Sequence, residues 1–367
     1  MKTITETIGG AQGLLDISYN LDDVFENYLT DEHKLFLHVL RIIEASQPPV
    51  IRRCAATGRK PYQYQPFIRS NLAKSIFKID TNTELIRRLL TDANLRLLCG
   101  FDKVPGRSTF SRVFEELTGT AILGDTLDRM VMEAHAGRVV YHVSRDSTAI
   151  EVREKVGKKP AKGVKVERKR RGRPKKGEVR PEKPETNIER QPRESVEESL
   201  GNINTACSYG CKRNSHGSPQ FWVGYKLHLD VSDTGFPVSA FVSGASVYDN
   251  QLAIPMEKMT ENKVTFCYSL MDAAYDSSVI DNFIRDRGRI PIIDPNMRND
   301  KSRAPLDPAK KERYKLRTEV ERANSILKDW LLPGKLYIKG HKKVSFVLFC
   351  AVICLAALRA LQYFTPG

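Results

Sequence analysis

Four polar residues near the C-terminus have the types and spacing that phosphate chemistry needs. Steps of three, four and seven positions separate Tyr314, Arg317, Glu321 and Lys328. Since an α-helix completes a turn about every 3.6 residues, this spacing predicts that all four share one helix face. The face would present one carboxylate between two cations and a phenol. A carboxylate that meets two partner carboxylates can bind a divalent metal, and the flanking cations can hold phosphate groups.

The elements that must position this face follow residue 135. Strand patterns occur in RVVYHVSRDS, FWVGYKLHLDVS and PVSAFVSG, and the later strand patterns TFCYSLMD and RIPIID alternate with helix patterns. The early strands suit an antiparallel meander, and the later alternation suits parallel strands with crossovers. This order predicts an α/β fold with a ribonuclease-H-like mixed sheet flanked by helices. A mostly helical N-terminal domain, residues 1–135, would precede it.

Two aspartates belong to this predicted sheet. Asp146 is placed just past the strand RVVYHVS, and Asp272 ends the strand SLMD. In a ribonuclease-H-like sheet the first and fourth strands are neighbours, so the two carboxylates would meet, and the helix after the fifth strand would bring Glu321 to them. Three oxygen ligands of this kind suit Mg²⁺, with Mn²⁺ as a substitute. Two such ions about 4 Å apart can perform phosphodiester chemistry.

Other interpretations of these carboxylates stay open at this stage. An aspartate at a strand end is commonly a turn or capping residue, and a glutamate on a helix is commonly a solvated charge. Glu319 competes with Glu321, but it lies about 200° away around the helix and would miss the face shared with Arg317. The hypothesis of a metal-binding triad therefore depends on all three residues falling at the right elements together.

The motifs around these residues resemble those of bacterial insertion-sequence transposases of the DDE type. RDSTAI at Asp146, GYKLHL, MDAAYDS at Asp272 and the Tyr-x2-Arg-x3-Glu-x6-Lys spacing are similar to that family, and so is the helical stretch ELIRRLLTDANLRLLCGF. The resemblance implies a Mg²⁺-dependent enzyme that nicks transposon ends and transfers strands into target DNA. It implies Asp146, Asp272 and Glu321 as catalytic metal ligands. It also implies that Tyr314, Arg317 and Lys328 contact the DNA end or support Glu321.

The charge of the chain favours DNA as its partner. The 367 residues have a formal net charge of +15, and such a balance is typical of proteins that bind an acidic polymer. Residues 156–180 contain twelve Lys or Arg and two Glu, which makes +10 of that total. We therefore predict a basic, largely disordered insertion at residues 154–218. It would divide the catalytic domain into residues 136–153 and 219–367.

The basic insertion contains a motif similar to an AT-hook core. The motif comprises Arg171, Gly172, Arg173 and Pro174. An extended Arg-Gly-Arg-Pro segment can lie in a narrow minor groove, where the negative potential attracts arginine. The alternative is a basic linker that binds phosphates without sequence preference.

Composition also limits the compartment and the remaining sites. The polar start of the chain predicts no signal peptide, and the apolar run from Val344 to Leu358 is too short for a membrane span and predicts a buried terminal helix. Seven scattered cysteines indicate reduced thiols in a cytoplasmic, nucleoid-associated protein. Cys207, Cys211 and His216 have a loose spacing without an evident fourth ligand, so we do not predict zinc.

The leading hypothesis is a DDE transposase that binds the terminal repeats of its element, cleaves DNA and joins 3′-OH ends to a target. A homodimer is predicted, because two ends must be brought together, and no small-molecule substrate is expected. One alternative is a ribonuclease-H-like nuclease that hydrolyses DNA without strand transfer. The other is a non-catalytic DNA-binding protein derived from a transposase.

Overall fold

A computed structural model describes residues 29–50, 52, 61–157, 185–213, 217–296 and 305–363. The part before the sheet is helical, as predicted. Its helices are α1 (Asp31–Ser46), α2 (Gln65–Ile76), α3 (Asn82–Thr91), α4 (Ala93–Leu98), α5 (Arg107–Leu117) and α6 (Ile122–Ala134). Helix α5 buries Phe110, Val113, Phe114 and Leu117 along one face. This spacing of three and four positions is what packs an amphipathic helix onto a core.

The strands form one mixed sheet. They are β1 (Val140–Glu151), β2 (Ser208–Arg213), β3 (Pro219–Ser232), β4 (Pro237–Gly244), β5 (Phe266–Met271) and β6 (Ile290–Ile293). The order across the sheet is β2-β3-β1-β5-β6, with β4 also paired to β3. The pairs β1/β3, β2/β3 and β3/β4 are antiparallel, whereas β1/β5 and β5/β6 are parallel.

This arrangement confirms the ribonuclease-H-like mixed sheet predicted from the order of elements. The predicted first and fourth strands, now β1 and β5, are neighbours, and Ser144 pairs with Leu270. A 3-10 turn (Asp249–Leu252) and helix α9 (Ala253–Glu261) connect β4 to β5. A second 3-10 turn (Ala273–Tyr275) and helix α10 (Ser278–Asp286) connect β5 to β6.

The region between β1 and β3 contains more structure than the sequence predicted. Helices α7 (Asn187–Arg190) and α8 (Val196–Gly201) follow residue 185, and β2 then pairs with the start of β3. Both short helices begin with a capping box, from Thr186 to Glu189 and from Ser195 to Glu198. Reciprocal side-chain and backbone hydrogen bonds of this kind stabilise helix starts that have little apolar content. The basic segment 158–184 lies outside the described residues.

The terminal helix α13 (His341–Tyr363) lies in the core, as its apolar run predicted. It packs against α1, α2, α6 and β4, and one apolar cluster therefore joins the N-terminal helices to the sheet. Residues 341–362 are long and apolar enough to cross a membrane, but 72% of the most apolar window is buried inside the protein. Burial of this extent is typical of the core helix of a soluble protein.

The segment that contains the four polar residues is helical, but the expectation of one regular helix is wrong. It comprises α11 (Pro308–Tyr314), a 3-10 turn (Lys315–Arg317), α12 (Thr318–Ile326) and a π-helical turn (Leu327–Leu331). The residues at the junctions, Tyr314, Arg317 and Leu327, keep right-handed helical φ and ψ. The chain therefore stays helical through the whole segment. Its backbone hydrogen bonds join residues three positions apart in the 3-10 turn and five positions apart in the π-helical turn, instead of the usual four.

Gly224 is predicted to be essential for the pairing of β1 with β3. A Cβ at this position would lie 2.1 Å from the carbonyl oxygen of Ile150, so Gly224→Ala must push the two strands apart. We expect Gly224→Ala to lower the free energy of unfolding by about 1–3 kcal/mol or more, measured by chemical denaturation. Gly201→Ala is the matched control, since its Cβ would meet nothing within 4 Å. Equal stability of the two variants would contradict the prediction.

Candidate active site

Asp146 lies inside a strand, so its predicted place just past the strand end is wrong. Strand β1 continues to Glu151 because β3 pairs with it from Val143 onward, with Asp146 opposite Leu229 and Glu151 opposite Gly224. Strand β5 ends at Met271, and its pairing with β1 ends near Ser144. Among the described residues, no strand pairs on that side with the stretch of β1 from Asp146 to Ile150, and Asp146 lies beside the C-terminal end of β5.

A buried ion pair determines which face of the sheet Asp146 occupies. The neighbouring Arg145 is fully buried and donates from Nε and Nη2 to the two oxygens of Asp230, both at 2.7 Å. It also donates to the Ala253 carbonyl at 2.6 Å and to Glu257 at 3.2 Å. Because successive side chains of a strand point to opposite faces, this network directs Asp146 away from α9. The sequence analysis missed Arg145, since one strand gives no signal of a charge partner 85 positions away.

Asp272 follows β5 directly, as predicted. Its carboxylate accepts a hydrogen bond from the backbone N–H of Ala274 at 3.0 Å and so begins the 3-10 turn (Ala273–Tyr275). This is the capping role that short acidic side chains commonly have. The carboxylate therefore has a structural function and also faces Arg317, where its second oxygen is 3.9 Å from Nη2.

Glu321 lies on α12, and 54% of its side chain is exposed. It accepts a charge-assisted hydrogen bond from Nη1 of Arg317, one turn earlier. Glu319 has a different partner, because it contacts Arg322 on the surface of the same helix. The buried face of α12, with Val320 and Ala323, packs against the sheet and brings the Glu321 side of the helix to the edge where β5 ends.

Arg317 joins all three carboxylates. Its Nη2 lies 3.3 Å from Oδ1 of Asp146 and 3.9 Å from Oδ2 of Asp272, while Nη1 contacts Glu321. Only 12% of the guanidinium side chain is exposed. A planar guanidinium has five N–H donors, which allows one side chain to serve several carboxylates. Side chains from β1, the end of β5 and α12 thus converge on one cation.

The convergence leaves negative charge without full compensation. Burial raises the pKa of Asp146 to about 6, with Asp272 adding to the increase and Arg317 opposing it. Burial also raises the pKa of Asp272, while the hydrogen bond from Ala274 and the charge of Arg317 act in the other direction. One guanidinium is therefore insufficient to make ionisation of these carboxyl groups as easy as in water. A second positive charge would be favoured here.

Asn324 is a further contact of Asp146 that the sequence analysis missed. Its Nδ2 donates to Oδ2 of Asp146 at 3.0 Å, and only 7% of the residue is exposed. Its Oδ1 is buried without a hydrogen-bond partner among the described residues. Asn324 is three positions after Glu321, so the spacing that places neighbours on one helix face could have identified it.

The two remaining residues of the predicted face have different positions. Tyr314 is half-buried at the end of α11, and burial raises its pKa to about 12, with Arg317 opposing this effect and nearby carboxylates adding to it. Lys328 lies beyond Glu321 in the π-helical turn (Leu327–Leu331). Its pKa is lowered by partial burial of the ammonium group and by the charge of Lys212. Tyr314 is thus near the three carboxylates, whereas Lys328 faces an adjoining groove.

The donor set is chemically suited to a divalent cation, although the side chains are not gathered around one point. Carboxylate oxygens are the preferred ligands of Mg²⁺ and Mn²⁺. In the described part of the chain, no group of three or more His, Cys, Asp or Glu side chains is close enough to hold a metal ion. Arg317 lies between the three carboxylates and accounts for their separation.

Some predicted sites fall outside this cluster. The AT-hook-like residues Arg171, Gly172, Arg173 and Pro174 lie outside the described residues. Cys207 is buried before β2 and Cys211 is exposed within it, while His216 is outside the described residues.

Comparisons with known proteins identify two family matches. The family model described as Transposase DDE domain matches residues 141–356, and the one described as Transposase domain (DUF772) matches residues 23–116. The first match covers more than half of the chain and includes Asp146, Asp272 and Glu321. No curated protein and no solved structure matches the chain.

Removing the charge of Asp146 should stabilise the metal-free protein at neutral pH. Its pKa is raised to about 6 in the folded state from an ordinary 3.8, so the associated stability is present at low pH and lost as the pH rises through about 6. We expect Asp146→Asn to exceed the wild type at pH 8 by up to about 3 kcal/mol and to match it near pH 4. Urea unfolding in chelator measures this difference.

The control for this experiment is Asp281→Asn, which removes an exposed carboxylate paired with Arg285. It should change stability little at either pH, since exposed helix pairs contribute about 0.3–0.5 kcal/mol. If the metal-free Asp146→Asn protein were less stable than the wild type at pH 8, the ionised Asp146 carboxylate would not be destabilising the folded protein, and the prediction would be wrong.

Asn324→Leu should be destabilising mainly at high pH. Leucine has a similar volume but cannot donate to Asp146, so the ionised carboxylate would lose a buried donor. We expect a loss of about 1–3 kcal/mol at pH 8 and a smaller loss near pH 4, where Asp146 is protonated. The double variant with Asp146→Asn should lose this pH dependence. Equal losses at both pH values would instead indicate that Asn324 contributes only packing.

Proposed function

The chain belongs to the Transposase DDE domain family, and from this premise we propose that it moves its insertion sequence by cutting and joining DNA. It binds the terminal repeats of the element, cleaves DNA strands there and transfers the 3′-OH ends into target DNA. Family membership by itself supports a polynucleotidyl transferase or nuclease that acts on DNA. Strand transfer, the two-metal chemistry and the residue roles are the proposed part.

The observation that supports this function most is the convergence of three carboxylates on Arg317. Asp146, Asp272 and Glu321 come from three separate elements, and Asp146 and Glu321 are 175 positions apart in the chain. An ordinary structural role would not need three carboxylates around one guanidinium at the open edge of a sheet. We therefore assign these three residues as the catalytic metal ligands.

The properties of the cluster fit a divalent cation. The ligands are all carboxylate oxygens, and burial raises the pKa values of Asp146 and Asp272 more than the charge of Arg317 lowers them. When bound, Mg²⁺ or Mn²⁺ lowers the pKa of a water or 3′-OH and stabilises charge on the leaving oxygen. Asp146, Asp272 and Glu321 would hold these ions.

The other residues of the site then have distinct tasks. Asn324 donates to Oδ2 of Asp146 and Arg317 contacts Oδ1, so the two side chains together would orient this carboxylate. Arg317 is the donor best placed to contact a non-bridging phosphate oxygen, since guanidinium groups bind phosphates in a bidentate manner. Lys328 extends the positive charge toward the adjoining groove, and Tyr314, close to Arg317 and Glu321, would contact the DNA end or support Glu321.

DNA binding would involve surfaces beyond the catalytic centre. The helical region matched by the Transposase domain (DUF772) model is the proposed reader of the terminal repeats. The basic insertion, with Arg171, Gly172, Arg173 and Pro174, would add a minor-groove or phosphate contact. A homodimer would hold two ends in one synaptic complex. Such a protein would act on the bacterial nucleoid, in the cytoplasm.

A strand-transfer assay tests the catalytic assignment. The protein is incubated with Mg²⁺, a duplex that carries the element end, and a target plasmid. Glu321→Gln keeps the size and hydrogen-bonding capacity of the side chain but loses the charge, so we expect cleavage and joining to fall on the order of a thousandfold. Binding of the duplex, measured by fluorescence anisotropy, should be retained.

Glu319→Gln is the matched control, because Glu319 lies two positions away on the same helix and contacts Arg322. It should cleave and join like the wild type. Hydrolysis without joined products would favour a ribonuclease-H-like nuclease, and binding without either reaction would favour a non-catalytic DNA-binding protein. Full activity of Glu321→Gln would refute the assignment of the three carboxylates.

A further inference from the structure

A groove of about 370 Å³ adjoins the catalytic cluster on the side of Lys328. It is formed by the end of β1, the β2/β3 hairpin and the π-helical turn (Leu327–Leu331). Lys212, Gln220, Phe221, Trp222, Lys328 and Leu336 are among the residues that line it. Its volume is at the lower end of the range for small-ligand sites, about 300–1,000 Å³, so it suits a short stretch of unpaired nucleotides rather than a duplex.

The charge of the groove favours an anion. Lys212 and Lys328 lie close enough that each repels the other, and neither forms an ion pair with another residue of the described ranges. Of the two acidic residues of the groove, Glu151 is balanced by Lys335, whereas Asp329 accepts from Ser325 and lies within electrostatic reach of Lys328, so the lining keeps an excess of positive charge. Two unpaired ammonium groups that face the same space are stabilised by a phosphate between them.

The groove also offers aromatic rings in prepared positions. Phe221 exposes 70% of its surface, which is unusual for a phenylalanine on a paired strand. The ring of Trp222 lies directly on Gly210 of the neighbouring strand, where any Cβ would be 2.2 Å from Cζ2 of the indole. Its Nε1 donates to the Tyr225 carbonyl at 3.3 Å. The indole is therefore held in one orientation before any ligand binds.

We propose that this groove binds unpaired nucleotides of the DNA strand next to the scissile phosphate. Phe221 and Trp222 follow one another on β3, so their rings leave opposite faces of the strand and would stack on different bases. Lys212 and Lys328 would contact the phosphates. Aromatic rings with interleaved basic residues are the usual means of holding single-stranded DNA without reading its sequence. The ligand class is thus single-stranded DNA, and double-stranded DNA would have its bases stacked and out of reach.

The location links the groove to the cleavage reaction. Lys328 is within electrostatic reach of Asp146 on one side and of Lys212 on the other. Ala149, Ile150 and Glu151, which follow Asp146 on β1, form the floor of the groove. A strand whose phosphate lies at Asp146 could therefore continue along β1 into it. This inference rests on the proposed function and extends it to the form of the DNA near the cut.

The two tryptophans of the chain, Trp222 and Trp330, allow a local measurement. Trp330 lies outside the groove, next to Lys78, so Trp330→Phe gives a protein whose indole emission reports on Trp222 alone. This protein is titrated, in chelator, with a short oligothymidylate and with a blunt duplex of equal length. Since no cleavage is needed, failure of this test and failure of the catalytic assignment are separate results.

The proposal predicts saturable quenching of Trp222 by the oligothymidylate and little quenching by the blunt duplex. Phe221→Ala should weaken single-strand affinity on the order of tenfold, because stacking of one base contributes about 1–3 kcal/mol. Lys212→Ala should lower the dependence of log affinity on log salt by about 0.7. The matched control is Tyr209→Ala, which removes an exposed aromatic side chain of β2 outside the groove and should change neither value.

Three results would overturn the proposal: no quenching by the oligothymidylate, equal quenching by the blunt duplex, or equal effects of Phe221→Ala and Tyr209→Ala. The basic insertion can also bind single strands, but it would change total affinity and not the emission of Trp222. If Trp330→Phe fails to fold, anisotropy of a labelled oligothymidylate with the otherwise unmodified Phe221→Ala and Tyr209→Ala proteins makes the same comparison. Indistinguishable affinities of these two proteins for the oligothymidylate would also refute the proposal that the groove binds single-stranded DNA.

Discussion

The buried pair of Arg145 and Asp230 is the constraint on which the site depends. A buried guanidinium with two buried carboxylates beside it cannot move to the surface without leaving a charge unpaired in the core, a change that typically costs about 3–5 kcal/mol. The pair therefore fixes the register of β1 against β3. A shift by one residue would turn Asp146 to the opposite face of the sheet. The ion pair thus positions Asp146, the carboxylate proposed as a metal ligand, without touching it.

On the other face of the sheet, one arginine has to serve three carboxylates, so the positive and negative charges are not balanced. Arg317 serves Asp146, Asp272 and Glu321 together, whereas Arg145 is matched by close and fully buried partners. Burial raises the pKa values of Asp146 and Asp272, and Arg317 opposes the increase only in part. A structural site satisfies its charges, and a site that must bind cations and phosphates does not. The contrast between the two arginines therefore supports the proposal that the edge around Arg317 is the reactive part of the sheet.

The sequence predicted the mixed sheet, the neighbouring positions of β1 and β5, and the burial of α13. These follow from alternation of apolar residues and from the rules that govern connections between strands. It missed β2, the capped helices after residue 185 and the extension of β1 past Asp146. Each of these depends on a partner. Strand β2 forms because β3 extends beyond the residues that pair with β4, and β1 is extended because β3 pairs with it as far as Gly224.

Residue types and spacing were sufficient to select Asp146, Asp272 and Glu321 as the candidate carboxylates. They were also sufficient to predict that Arg317 shares a helix face with Glu321. Helix and strand periodicity is local, so the chain contains it in full. Only the tertiary structure decided that Arg317 would meet all three carboxylates, that Asn324 would hold Asp146, and that Lys212 would face Lys328 across a groove. Those contacts join residues that are often more than a hundred positions apart. Their distances are set by the packing of helices on the sheet, which no local pattern records.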